Sequence, residues 1–244
     1  MTLPRTADAA LARARVLVVG VGGLGAPAVM ALAAAGIGGV GLVDPDVVEA
    51  SNLHRQPPYD QAALGDAKVE AAARHLRRVR PALDVTTLSR RVGAGDAELV
   101  AGFSAVIDGT DSIEAKFLVN DLAVATGRPL VHAGVAGLRG QLMTVLPGAT
   151  ACYRCIFEEP PPPGDAVSCT EAGVLGPLPA LLGALQAAEA VRLCAGEPPL
   201  FADRLLAIDA SRGTWRSVPL ARRVSCAACG PRPPAPAATR SDSP

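Results

Sequence analysis

Cysteine is absent from the first 150 residues of this 244-residue chain, and neither charge sign is in excess. The 23 basic and 23 acidic residues cancel, so the charge implies neither nucleic acid nor an anionic membrane as partner. Only two of the 23 basic residues are lysines, Lys68 and Lys116. Against that arginine-rich background, a lysine that persists is a candidate for work that needs an amine. No secretion signal and no one-sided Lys/Arg flank is seen, so a cytoplasmic, reducing compartment is expected. Cysteine pairs there read as metal or redox sites rather than disulfides. No internal repeat is visible.

What is present begins with "VLVVGVGGLGAPAVMALAAAGIGGVGLVDPD", residues 16–46, in which the first charge is Asp44. A charge-free run of 28 residues is long enough to span a bilayer. Its glycines argue otherwise. Gly20, Gly22, Gly23 and Gly25 follow the β-branched run Val16–Val19, and Gly36, Gly38, Gly39 and Gly41 follow an Ala-rich segment. That is strand, tight turn, helix, turn, strand, with Pro27 tolerated in the helix's first turn. The spacing predicts strand Arg15–Val19, helix Gly23–Ala35 and strand Val40–Asp44.

Alternation of strands and helices continues to residue 150. Helical spacing over residues 66–81 ends at Pro81, and "ALDVTTLS" reads as a strand. "AVIDGTD", the helix "IEAKFLVNDLAVATG", "PLVHAGV" and "GQLMTVLPG" follow. The prediction is an α/β fold, a Rossmann-like, doubly wound, mostly parallel sheet, with a nucleotide-binding core over 14–150. Residues 151–230 change character: paired cysteines, a proline run at 160–163, an apolar helix from Pro177 to Leu193, and two strands. They are expected to form a zinc-tethered antiparallel extension, followed by a disordered tail over 231–244. In a doubly wound sheet, ligands lie beyond the carboxyl ends of the strands, here Gly20–Gly25, Asp44–Asp46 and Asp108–Asp111.

The G-V-G-G-L-G turn with an acid about 20 residues on fits a dinucleotide or a mononucleotide pocket. Glycines let backbone N–H groups approach phosphate at a helix N-terminus, and Asp44 is placed to hold a ribose. "DPDVVEASNLHRQ" then supplies Asn52, Arg55 and Gln56, and Lys68 follows. Hydride transfer has no use for two cations beside the phosphates, whereas breaking an α–β phosphate bond does, because charge builds on the leaving pyrophosphate. Asp108 and Asp111 in "DGTD" are placed for a hard cation such as Mg²⁺. An NAD(P)-dependent oxidoreductase explains the glycines and Asp44 but leaves Arg55, Lys68 and Asp111 idle.

Cys152-x-x-Cys155 and Cys226-x-x-Cys229 lie about 70 residues apart and offer four thiolates, each pair one side of a tetrahedral site. Structural Zn²⁺ is expected; a redox pair belongs at a helix N-terminus of a thioredoxin-like unit, and neither pair is predicted there. Cys194 is expected in the core, His132 at a strand end, and His54 in a loop or interface.

These motifs, "GVGGLG", "DPDVVEASNLHRQ", "DAKVEAA", "DGTDS", "CYRC" and "CAACG", occur in an order that resembles the MoeB/ThiF/HesA branch of ubiquitin-activating-type enzymes over residues 14–230. The resemblance implies a single ThiF/MoeB-type adenylation domain over 1–230. It implies an adenylyltransferase that uses ATP with Mg²⁺ to adenylate the C-terminal glycine of a small ubiquitin-like sulfur-carrier protein ending in Gly-Gly, releasing pyrophosphate. It assigns Gly20, Gly22, Gly23, Asn52, Arg55 and Lys68 to ATP, Asp44 to the ribose, and Asp111 to magnesium or the α-phosphate region. Ser112, which stands where related chains usually have Asn, is assigned to the nucleotide as well. Cys169 falls in a segment that crosses over the carrier's tail in related enzymes, some of which form a covalent link there. A homodimer is implied, and with no rhodanese domain in the sequence, a separate sulfur donor. Related chains carry an arginine ahead of the first strand that reaches the partner's ATP; Arg5 is the only basic residue before Arg13 and sits in a different context. A non-catalytic nucleotide-binding relative therefore stands as an alternative, and a tRNA-modifying dehydratase fits neither the neutral charge nor the cysteine pairs.

Overall fold

The computed structural model describes residues 5–162 and 175–231; Cys169, the crossover segment and the tail from residue 232 lie outside the described residues. After helix α1 (Arg5–Arg13), the β-branched runs become β1 (Arg15–Val19), β2 (Gly39–Val43), β3 (Asp84–Leu88), β4 (Ala105–Asp108) and β5 (Leu130–Ala136). They are joined through α2 (Gly25–Ala35), α3 (Lys68–Val79), α4 (Ala97–Ala101) and α5 (Ile113–Thr126). Helical crossovers permit parallel pairing, and these five strands pair parallel in the order β3-β2-β1-β4-β5.

A two-residue turn at Gly137, with φ +58°, then reverses the chain into β6 (Arg139–Val145). After α6 (Tyr153–Ile156) and α7 (Pro177–Cys194), β7 (Arg204–Asp209) and β8 (Thr214–Pro219) extend the same sheet antiparallel, completing eight strands.

Both faces of β1, β2 and β4 are covered, so these strands read as continuous apolar runs, whereas the edge strand β3 is half-exposed. In β1, Val16 and Val18 pack with α2, α3 and α7, whereas Leu17 and Val19 face the opposite cluster with Phe117, Tyr153 and the paired cysteines. The charge-free run is a buried βαβ unit, and among the described residues no helix is long and apolar enough to cross a membrane. Helix α7 lies on α2 at Gly183, where a Cβ would come 2.2 Å from the Leu24 carbonyl oxygen.

Three local features differ from expectation. Helix α2 starts at Gly25 rather than Gly23, leaving Gly22 and Gly23 in the turn. His132 is interior to β5, paired in register with Asp108, rather than at a strand end. The short helices α4 and α6 were not anticipated, being too brief to show helical periodicity.

Candidate nucleotide cleft and cysteine cluster

At the carboxyl ends of β1, β2 and β4 lies a cleft of about 580 Å³ lined by Gly22, Gly23, Asn52, Arg55, Lys68 and Asp111, among others. Gly20 does not line it. It adopts φ +85°, and a Cβ there would come 2.7 Å from the Gly109 carbonyl oxygen, so its part is the close passage of the loop over the β4 turn. Gly25 is more crowded still, 1.8 Å from the Gly20 oxygen. The glycines thus divide the work: Gly20 and Gly25 allow the turn, and Gly22 and Gly23 face the ligand space.

Asp44 holds this loop. Its Oδ2 accepts from Val21 N at 2.7 Å and its Oδ1 from Asp46 N at 2.9 Å. Burial pushes its carboxyl up from the ordinary value, opposed by those N–H bonds. Tyr59 donates its hydroxyl to Val21 O at 2.8 Å, so the loop is gripped from both sides of one residue. Asn52 is buried, and its Oδ1 accepts from Glu49 N at 3.2 Å. Arg55 donates to Ser51 O at 2.7 Å and passes beside Gly23.

Lys68 opens α3, nearly buried, with Nζ 2.9 Å from Asp46 Oδ2. Asp46 was left without a role by the sequence reading; the second acid of D-P-D was its only signal. Gln56 follows Arg55 in the same motif. It is buried at the cleft wall, with no partner for its Oε1 among the described residues.

The β4 turn corrects one assignment. Asp108 is fully buried, its Oδ1 accepting from Thr110 N at 3.0 Å and Thr110 Oγ1 at 2.6 Å, and its Oδ2 lying 2.7 Å from His132 Nδ1 and 3.5 Å from Lys116 Nζ. It is committed inward and is no cation ligand in the cleft. Burial pushes its carboxyl up, but Lys116, His132 and Thr110 outweigh this and hold it well below the usual carboxylate range. Burial and then Lys116 push His132 down against the pull of Asp108, whose Oδ2 is positioned to accept from Nδ1. Asp111 is exposed, and no hydrogen-bond or ion-pair partner is found for its carboxylate among the described residues. The hydroxyl of Ser112 accepts from Ala115 N at 3.1 Å, capping α5; Ser112 lies outside the smaller cleft and lines a second one of about 1040 Å³. The two clefts meet at Asp111, Lys116 and Val135.

Behind Tyr153, which lines the larger cleft, the neighbouring Cys152 converges with Cys155, Cys226 and Cys229, all buried, with their sulfurs within 4.8 Å of one another. Cys152 lies 3.6 Å from Cys226, and Cys155 lies 3.4 Å from Cys229. A tetrahedral ion with Zn–S of about 2.3 Å sets sulfurs roughly 3.8 Å apart, so the donor set fits that metal. Contrary to expectation, Cys152 does sit at a helix start, as the N-cap of α6, but four thiols together and no thioredoxin-like unit around them leave the metal reading intact. Cys194 is half-buried at the edge of the core rather than inside it.

Fold and cleft together define the class: a doubly wound α/β domain with a glycine-loop cleft at its parallel strand ends. The chain belongs to the ThiF family, which it matches over residues 2–228. It is 47% identical over 225 residues to the adenylyltransferase and sulfurtransferase MOCS3 of Bos taurus, covering 91% of this chain and 50% of that protein. It is 41% identical over 229 residues to the sulfur carrier protein adenylyltransferase of Thermus thermophilus, covering 91% and 84%. With the SAMP-activating enzyme E1 of Haloferax volcanii it shares 42% over 221 residues, covering 90% and 82%. The chain spans about half the length of the MOCS3 relatives it matches. E. coli MccB, solved with ATP, superposes with a TM-score of 0.81 at 23% identity, over 92% of this chain and 69% of that one, which bears on the fold.

Proposed function

We propose that this protein is an adenylyltransferase that uses MgATP to activate the C-terminal glycine of a small ubiquitin-like sulfur-carrier protein ending in Gly-Gly. The observation that carries this is the joining of Gly22, Gly23, Arg55, Lys68 and Asp111 in one cleft that opens at Asp111 into a larger one. ATP occupies the smaller cleft, with phosphates toward the glycine loop and the N-terminus of α2 and with its ribose toward Asp44. The carrier's tail enters through the larger cleft. Its terminal carboxylate oxygen attacks the α-phosphorus, the bond to the bridging oxygen breaks, and pyrophosphate leaves with the electron pair. Arg55 and Lys68 stabilise the charge that builds there, Arg55 as a planar fork and Lys68 as a point charge shared with Asp46.

The exposed carboxylate of Asp111, without a partner among the described residues, suits Mg²⁺, which is commonly held by one or two carboxylates plus substrate phosphates. When bound, the ion neutralises phosphate charge. Zinc on the four thiols serves as a closed structural cross-link. Relatives 41–47% identical that are named adenylyltransferases or an E1 activating enzyme support the adenylation; a homodimer, a cytoplasmic setting and a separate protein as sulfur donor are further parts of the proposal.

The first experiment is thermal stability of the purified protein with MgATP, NAD and NADP in turn. Saturating a native-state site at a hundredfold excess over Kd is worth about 2.7 kcal/mol. Stabilisation by MgATP alone, lost in Arg55→Ala, supports adenylation; stabilisation by NAD or NADP instead overturns it in favour of an oxidoreductase.

A further inference from the structure

The smaller cleft uses one of the chain's two lysines, Lys68, at its surface. The other, Lys116, lines both clefts where they meet, and its ammonium is engaged by backbone carbonyls. It is buried in the first turns of α5, and its ammonium donates to Thr110 O at 2.6 Å and to Ala133 O at 2.8 Å, with Asp108 Oδ2 at 3.5 Å. Thr110 is therefore held at three points, its N–H and hydroxyl by Asp108 and its carbonyl by Lys116. His132 backs Asp108 from β5 at 2.7 Å. The next residue, Asp111, stands where the two clefts meet, with no partner for its carboxylate among the described residues. A turn fixed this tightly beside a side chain left this free is an arrangement for aiming that side chain.

We infer that Lys116, with Asp108 and His132 behind it, is a positioning element that sets the Asp111 carboxylate for the magnesium of MgATP. The inference rests on the proposed function and adds residues to that same site. A compact ammonium suits the place: it reaches two carbonyl oxygens from different elements, Thr110 in the turn and Ala133 in β5, and keeps a third donor toward Asp108. Partners that orient a metal ligand from outside the coordination sphere typically change metal affinity 10–100-fold when removed, by about the same logic as a direct ligand's loss in miniature.

The test is ATP binding to the full chain, followed by thermal shift and by titration calorimetry, with Mg²⁺ varied at fixed ATP and with ATP varied in chelator. The variants are Lys116→Met, which keeps length and removes charge, and Thr110→Val, which removes only the hydroxyl bond to Asp108. Lys116→Met is expected to raise the Mg²⁺ concentration for half-maximal stabilisation about tenfold, a larger factor than the change in metal-free ATP binding, to which Lys116 contributes only as one residue of the cleft lining. Thr110→Val is expected to move the Mg²⁺ dependence the same way by a smaller factor. Unchanged Mg²⁺ dependence in a folded Lys116→Met protein overturns the inference. Should Lys116→Met not fold, Thr110→Val decides, a shift supporting and no shift overturning. If the unsubstituted chain itself shows no MgATP response, the proposed function falls, and the inference with it; a normal response there with unmoved variants removes the inference alone.

Discussion

The parallel half and the antiparallel half of the sheet are held together by different means. In the first, β1, β2 and β4 are buried on both faces, and glycines bring backbone against backbone. In the second, β8 is exposed along nearly its whole length, with Trp215 and Val218 at 54% and 43% of full exposure. An edge strand with so little burial gains little from the hydrophobic effect. What anchors its surroundings is the thiol cluster, which joins the start of α6 to residues 226–229 and backs Tyr153 against His132, ring centroids 4.5 Å apart. The parallel half carries no cysteine, and both pairs fall after β6, in the half whose edge strand is exposed.

The largest effect expected from breaking this contrast is loss of the metal. Four-thiolate zinc contributes on the order of 10 kcal/mol of folding free energy in small domains, so Cys226→Ser or chelation should destabilise the chain severely. Limited proteolysis should cut the segment beyond residue 204 before the parallel strands. A chelated protein, proven metal-free by elemental analysis, that melts and digests as before would show that apolar packing alone holds this half. Next in size is Gly25→Ala. The parallel half should fail by backbone collision, since the new Cβ would sit 1.8 Å from the Gly20 oxygen. A loss of about 3 kcal/mol or more is expected from a chemical denaturation curve, since overpacking against backbone cannot relax by a rotamer change. A change under 1 kcal/mol would mean that the loop moves freely, and the tight-turn argument for Gly20 and Gly25 would not stand.

How much of this was legible in the sequence follows the same division. The parallel strands, α2, α3, α5 and α7 announce themselves by uninterrupted apolar runs and helical spacing, because burial on both sides leaves a strong pattern. The two C-x-x-C pairs were visible as a four-thiolate set, yet their convergence across the sheet depends on pairing of β6, β7 and β8 that no local pattern specifies. Cleft residues were read at the level of motif: Gly22, Gly23, Asn52, Arg55, Lys68 and Asp111 do line one space. The errors concern what side chains do within a motif. Gly20 and Asp108 serve the structure rather than the ligand, and the roles of Asp46, Lys116 and His132 come from contacts between residues 17 to 24 positions apart, or six apart in the case of Lys116 and Thr110. Lys116 left one clue, its rarity.

The smallest expected effect decides between motif and contact at Ser112. The motif makes it a nucleotide ligand, whereas its hydroxyl caps α5 by accepting from Ala115 N. An N-cap serine replaced by alanine costs about 1 kcal/mol because a backbone donor loses its partner, and asparagine caps as well as serine does. Ser112→Ala should therefore lower stability by about that amount, Ser112→Asn should restore it, and MgATP affinity should be equal in both. Binding that weakens in Ser112→Ala by tenfold, at unchanged stability, would return the residue to the nucleotide. The side chain would then turn away from the cap when the cleft fills, and the parallel half would be less rigid around its ligand than its buried strands imply.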